Sequence, residues 1–142
     1  VLNRTLPRLI TSGTQVPAGT SGGVSLTGML AAAAGSLAVA MTVLVTWPWT
    51  GMDDQHRLAL TALVLFAGVF GSIVDSLIGA TIQGIYWCPK CEKETEKHPL
   101  HSCGTITELT RGKKWITNDW VNLICTGSAI VLALVIKLIF TL

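Results

Sequence analysis

The sequence predicts an all-α integral membrane protein: three transmembrane helices, with a polar Cys- and His-containing loop between the second and third. Three observations predict it. Half of the 142 residues are apolar and only 13 % are charged, about half the charge of a soluble domain, and the mean hydropathy is +0.58. Residues 24–47, 58–83 and 121–142 are each long enough to cross a hydrocarbon core about 30 Å thick, which needs about 20 apolar residues. All five tryptophans fall at the ends of these stretches and none in mid-span, as expected of a ring that prefers the headgroup level with its N–H wet. The same composition excludes a disordered tail, a collagen-like fibre and a nucleic-acid binder. A net charge of +2 is too small to argue for a polyanionic partner.

Taken in order, residues 1–23 form a Gly-rich segment that leads into the membrane. The chain opens on Val1 where a complete reading frame opens with Met, so a processed or truncated chain is expected. Within it, Pro17-Ala18-Gly19-Thr20-Ser21-Gly22-Gly23 stands just before the first span. Glycines let backbone N–H groups turn toward one point, and a following helix N-terminus adds a positive dipole end; together these suit a phosphate. The Gly-x4-Gly-Lys pattern of a Walker loop is absent, and a flexible linker is the alternative reading. Residues 24–83 form a transmembrane helical hairpin whose turn holds Trp49, Asp53, Asp54 and Arg57. Ala31 to Ala34 is a small-residue surface of the kind that lets helices approach closely in lipid.

Orientation follows from the basic residues. Arg4, Arg8, Lys90, Lys93, Lys97, Arg111, Lys113 and Lys114 lie on one side of the predicted spans and Arg57 on the other, so the N-terminus and residues 84–120 face the cytosol, stroma or matrix.

The second span carries an anomaly. Gly68, Gly71, Ser72, Asp75, Ser76, Gly79 and Gln83 recur at three- and four-residue spacing as one small, polar stripe. Asp75 lies about 12 Å below the inner interface at 1.5 Å per residue. A carboxylate at that depth costs several kcal/mol unless it is protonated, paired or facing a wet cavity, and such residues are usually functional; a protonated Asp bonded between helices is the structural alternative. At the start of the third span, Thr117, Asn118, Asp119 and Asn122 admit two readings. Thr117 or Asn118 caps the helix and Asp119 suits its dipole, or these oxygens, with Asp75, hold Mg²⁺ bound jointly with nucleotide phosphates.

Residues 84–120 form the polar loop. Cys88-Pro89-Lys90-Cys91 has the spacing that places two thiolates on one tetrahedral metal, and Cys103 with His101 or His98 completes four ligands; His101 is the preferred fourth. The expected ligand set is Cys88, Cys91, His101 and Cys103 on a structural Zn²⁺. Free thiols in a reducing compartment, or a disulfide, are the alternatives. Cys125, inside the third span, reads as an inert apolar residue.

Four strings carry a resemblance: Pro7-Arg8-Leu9-Ile10-Thr11-Ser12-Gly13, Gly19-Thr20-Ser21-Gly22-Gly23-Val24-Ser25, Gly71-Ser72-Ile73-Val74-Asp75-Ser76-Leu77-Ile78-Gly79-Ala80, and Thr117-Asn118-Asp119-Trp120-Val121-Asn122. In this order they resemble the membrane family of transmembrane protein 19 and the plant phytyl-phosphate kinase. The resemblance implies a polytopic enzyme that transfers a phosphoryl group from a nucleoside triphosphate, CTP in particular, to an isoprenyl monophosphate such as phytyl phosphate. Family members also carry an N-terminal half with its own acidic motif, so this chain is expected to be the C-terminal half. On that basis Gly19, Thr20, Ser21, Gly22 and Gly23 are assigned to phosphate cradling and Asp75, Asn118 and Asp119 to Mg²⁺ or phosphate positioning. Arg8 and the Lys113-Lys114 pair are further phosphate-neutralising candidates, with membrane-surface anchoring as the other reading of the lysines. The partners expected are the lipid bilayer, the two phosphate substrates, and the N-terminal half or a larger membrane complex. A non-catalytic subunit derived from that family is the alternative function.

Overall fold

A computed structural model describes residues 6–51 and 53–140. It is mostly helical. Helix α1 spans Leu26–Thr46, α2 Arg57–Thr81 and α3 Asn118–Phe140. With the 3-10 turns that adjoin them, Leu26–Trp49, Asp54–Thr81 and Asn118–Ile139 are long and apolar enough to cross a membrane. Their side chains are largely unburied by protein, as Leu30, Val39, Phe66, Leu134 and Leu138 illustrate, which suits surfaces whose solvent is lipid. The tryptophans divide. Trp49, Trp115 and Trp120 are exposed as the headgroup reading expects, but Trp47 is buried and its Nε1 has no hydrogen-bond partner among the described residues.

The chain divides into two compact units, one made of Leu26–Val74 with residues 125–140, the other of residues 6–25 with Asp75–Ile124. In the first, glycines of the small-residue stripe mark close helix packing: a Cβ on Gly68 would meet Ser36 Oγ of α1, and one on Gly71 would stand 3.5 Å from the Cys125 carbonyl of α3. Hydroxyls here bond back to their own helix, Ser36 Oγ to the Ala32 carbonyl at 2.9 Å and Ser128 Oγ to that of Cys125 at 2.7 Å.

The second unit is built differently. Strands β1 (Arg8–Leu9) and β2 (Gly23–Val24) pair antiparallel, Arg8 opposite Val24 and Leu9 opposite Gly23. The segment between α2 and α3, expected as a polar loop, carries a three-stranded antiparallel sheet, β3 (Ile85–Cys88), β4 (Lys93–Thr95) and β5 (Glu108–Arg111), with β3 in the middle. A bulge between Ile85 and Tyr86 breaks the register against β5. Both those side chains and Cys88 are buried, while Trp87 between them is half-exposed. Ile116, Thr107 and Val121 are also buried.

Candidate functional site

The end of α2 is where the Gly-rich segment docks. The Ile78 carbonyl accepts from the N–H groups of both Ile82 (3.0 Å) and Gln83 (3.1 Å), so the Gly79 carbonyl loses its ordinary helical partner. Arg111, at the end of β5, replaces it. Its Nη1 donates to the Gly79 carbonyl and its Nη2 to the Ser21 carbonyl, both at 2.9 Å, so one guanidinium fork joins helix, sheet and Gly-rich segment. The following residues continue the stitch: Lys113 N–H donates to the Ile82 carbonyl at 2.9 Å and Gly84 N–H to that of Ile116 at 2.9 Å.

The glycines divide by role. Gly19 and Gly22 take φ of +89° and +81°, conformations an L side chain rarely adopts. A Cβ on Gly19 would meet nothing, whereas one on Gly22 would strike the backbone of Ala80 in α2. Gly79 is the counterpart on the helix, since its Cβ position is occupied by Ser21 Oγ. Ser21 Oγ donates to Gln83 Oε1 at 2.6 Å, and Gln83 is buried with Nε2 unpartnered among the described residues. Close packing therefore accounts for Gly22 and Gly79, and leaves Gly19 as a glycine held open at the surface. Gly23 N–H closes a turn onto the Thr20 carbonyl at 3.0 Å. Gly19 and Ser21 border an open cleft of about 310 Å³ whose charged lining is Glu94, Glu96 and Lys97.

Asn118 and Asp119 border a different cleft, of about 410 Å³, together with Lys97, Lys114, Thr117 and the stacked pair Tyr86 and His98, whose ring centroids are 4.5 Å apart. The Thr117 carbonyl accepts from Val121 N–H at 3.1 Å, which makes Thr117 the cap of α3 and Asn118 its first helical residue. Asp75 lines neither cleft. It stands four residues before Gly79, on the face of α2 that receives the Gly-rich segment and about 6 Å along the axis from the docking point. Arg8 donates from Nη1 to the Gly13 carbonyl at 2.8 Å and so braces its own hairpin. Lys113 Nζ lies 5.7 Å from the centre of the Trp115 ring.

The Cys and His residues converge. Ligand atoms of Cys88, Cys91, His101 and Cys103 all lie within 4.8 Å of one another. Cys88 Sγ is 3.6 Å from Cys103 Sγ, and His101 Nδ1 is 3.5 Å from Cys91 Sγ and 3.2 Å from Cys103 Sγ. With metal–sulfur bonds of about 2.3 Å a tetrahedron has S···S edges of about 3.8 Å, so the set is close to the size a metal ion needs. Two turns present it. Cys88 ends β3 and Cys91 lies in the turn to β4, closed by Glu92 at φ +48°. A second turn runs from His101, whose N–H donates to the Thr105 carbonyl at 2.9 Å, through Cys103 to Gly104 at φ +79°. Hydrogen bonding from Thr105 first, then His101, holds the Cys103 thiol down to about 5, whereas Cys91, bonded to Cys103, is pushed up to about 11. His98, the other histidine in ligand range by sequence, is stacked on Tyr86 instead. The cluster can hold a metal ion.

Sequence reasoning did not single out Arg111 or Tyr86. The partners of Arg111 are 32 and 90 residues away, and no local pattern signals such a reach.

Residues 1–130 match the family described as integral membrane protein DUF92. The chain is also 34% identical over 128 residues to Protein PGR of Arabidopsis thaliana, an alignment that covers 87% of this chain and 43% of that protein. It thus spans less than half the length of that relative. No solved structure matches. With three helices of membrane-spanning length and a family match over most of its length, this chain belongs to the integral membrane protein DUF92 family.

Proposed function

We propose that the protein containing this chain is a membrane phosphotransferase of the phytyl-phosphate kinase type, which moves a phosphoryl group from CTP or another nucleoside triphosphate to an isoprenyl monophosphate. One observation carries this reading: the Gly-rich segment docks on the same face of α2 that presents Asp75 one turn deeper in an apolar span. A phosphate held at that segment and an isoprenyl tail lying in the bilayer would meet there. Phosphoryl transfer asks mainly for alignment and charge neutralisation, which suits backbone N–H groups, a deep carboxylate and few other reactive side chains. The Gly19 cleft is lined by two carboxylates and one ammonium, so a triphosphate there needs a cation alongside. The oxygen donors of Asp75, Asn118 and Asp119 are of the kind that holds Mg²⁺, which when bound would neutralise phosphate charge, but Asn118 and Asp119 border the second cleft and Asp75 neither, so on this reading they act at separate points and not as one ligand set. The Cys/His cluster enters as a structural Zn²⁺ site, since all four positions are filled by protein. On this reading the N-terminal segment and the sheet face the cytosol, stroma or matrix, and the N-terminal half of the protein completes the enzyme.

A second reading, a non-catalytic subunit of a larger membrane assembly, is favoured by one fact: close packing alone explains why Gly22 and Gly79 are glycines. Incubating the purified complete protein with labelled CTP or ATP, Mg²⁺ and phytyl phosphate separates the two. The expected result is labelled diphosphate, with Asp75→Asn at least about tenfold slower, the loss of about 1.4 kcal/mol of transition-state stabilisation. Absence of transfer with either nucleotide, or a monodisperse Asp75→Asn protein at wild-type rate, refutes the kinase or its site in turn.

A further inference from the structure

We propose that the Cys88, Cys91, His101 and Cys103 cluster, loaded with Zn²⁺, is the clip that seats Arg111, so that metal occupancy sets the order of the Gly-rich segment. The inference rests on the zinc reading above and names what the zinc site controls.

The three strands around the cluster are four, three and four residues long. Within them only Ile85, Tyr86 and Cys88 are buried, and a sheet this small is marginal in water without another source of order. A tetrahedral ion would supply it, joining the turn after β3 to the turn from His101 to Gly104 in one rigid knot. β3 is the shared strand. Cys88 at its end belongs to the knot, and Ile85 at its start lies opposite Arg111 of β5. Fixing β3 in register with β5 therefore fixes the backbone that carries Arg111.

Arg111 is the only link on which the Ser21 and Gly79 carbonyls converge among the described hydrogen bonds. Its planar fork serves two acceptors at 2.9 Å at once, a geometry that the compact ammonium of lysine does not reproduce. If the knot opens, the β5 register loosens and the fork is lost. Gly19 and Ser21 then lose one of the anchors at their cleft and are left with the Ser21 Oγ bond to Gln83 and the packing of Gly22 on Ala80. Arg111 is thus a positioning residue, acting through the loop it holds.

Hydrogen exchange on the purified full chain in nanodiscs tests this, with zinc content measured in parallel. The reporters are the N–H groups of Ile10, Thr20 and Gly23, whose bonds to the Gly22, Pro17 and Thr20 carbonyls shape the Gly-rich segment. The knot is reported by His101, Gly104 and Thr107. One equivalent of zinc is expected, and its chelation should speed exchange in both sets by about tenfold, reversed by added zinc. Arg111→Ala should speed the first set alone with zinc retained, and Arg111→Lys should fall between. If chelation exposes the knot but leaves Ile10, Thr20 and Gly23 unchanged, the zinc reading stands and this inference falls. Less than about 0.2 equivalent of zinc after metal-replete expression removes the zinc reading itself. The chelation arm uses the unmodified chain, so it decides even where a variant fails to fold.

Discussion

In the span unit the side-chain hydroxyls bond within three or four residues: Thr46 Oγ1 to the Thr42 carbonyl, Thr61 Oγ1 to that of Arg57, Ser36 Oγ to that of Ala32. In the polar unit several reach across the chain, Thr110 Oγ1 to the Ile85 carbonyl over 25 residues and Ser21 Oγ to Gln83 over 62, although Thr81 Oγ1, still on α2, bonds locally to the Leu77 carbonyl. The contrast follows from the two solvents. A helix in lipid satisfies its own backbone and its small polar side chains locally, and its apolar surface needs no protein partner. A polar module between spans has little apolar area to bury, so it relies on long-range polar bonds, and it gathers a cluster of Cys and His groups that can hold a metal ion. The first strategy tolerates loss of any one contact; the second concentrates stability at a few points.

The sharpest way to break that contrast is Cys88→Ser. Cys88 is fully buried at the end of the central strand, so the substitution removes one of the four proposed zinc ligands and leaves a hydroxyl where a sulfur packed. Zinc content is expected to fall below about 0.2 equivalent, and limited proteolysis to cut within residues 84–117 while the spans stay intact. Far-UV circular dichroism should keep its helical signal, since α1, α2 and α3 draw nothing from the cluster by way of ligands. Unfolding of the spans along with the loop would show that the two units are one cooperative body.

The same contrast explains what the sequence discloses. The spans, their ends and the small-residue stripe are written in local composition and in three- and four-residue spacing, and Gly68 and Gly71 do face neighbouring helices. Cys88-x2-Cys91 is likewise a local signal. The sheet is not: β4 is Lys93-Glu94-Thr95, a charged run that reads as a solvated tip, and it becomes a strand only because β3 lies beside it. Arg111 looks like one more inner-side cation, and Trp47 like one more interfacial ring, because pairing and burial across dozens of residues leave no period to read. The second turn, His101 to Gly104, lacks a Cys-x2-Cys spacing and shows itself only once Gly104 is seen at positive φ.

A paired substitution sharpens the reading of the Gly-rich segment. Gly19→Ala and Gly22→Ala both force an L residue into positive φ, which costs about 1–2 kcal/mol. Only at Gly22 does the new methyl also strike the Ala80 backbone, which no rotamer change relieves, and overpacking of that kind adds about 1–3 kcal/mol. Thermal unfolding in detergent should therefore show Gly22→Ala losing clearly more stability than Gly19→Ala. For nucleotide binding to the complete protein the order should reverse per unit of stability lost, because Gly19 faces the open cleft and Gly22 faces the helix. Equal destabilisation by the two would mean the segment does not dock on α2.

The smallest effect is expected at Glu92, and its sign is favourable. Residue 92 follows Cys91 in the first turn of the cluster at φ +48°, where the Cβ of an L residue crowds the following carbonyl. Gly104, after Cys103 in the second turn, meets the same demand at φ +79° without a Cβ. Glu92→Gly makes the two turns alike and removes strain of about 1–2 kcal/mol. Part of that is returned, because glycine leaves the unfolded chain freer, so the net gain should be about 0.5–1 kcal/mol. The side chain is exposed and forms no ion pair among the described residues, so nothing else is lost with it. Zinc retention against a competing chelator should tighten about two- to fivefold, the same gain read through the folding that metal binding drives. Unchanged or weaker retention would mean that the turn after Cys91 is not strained by its side chain, and that the two turns differ in more than their glycine.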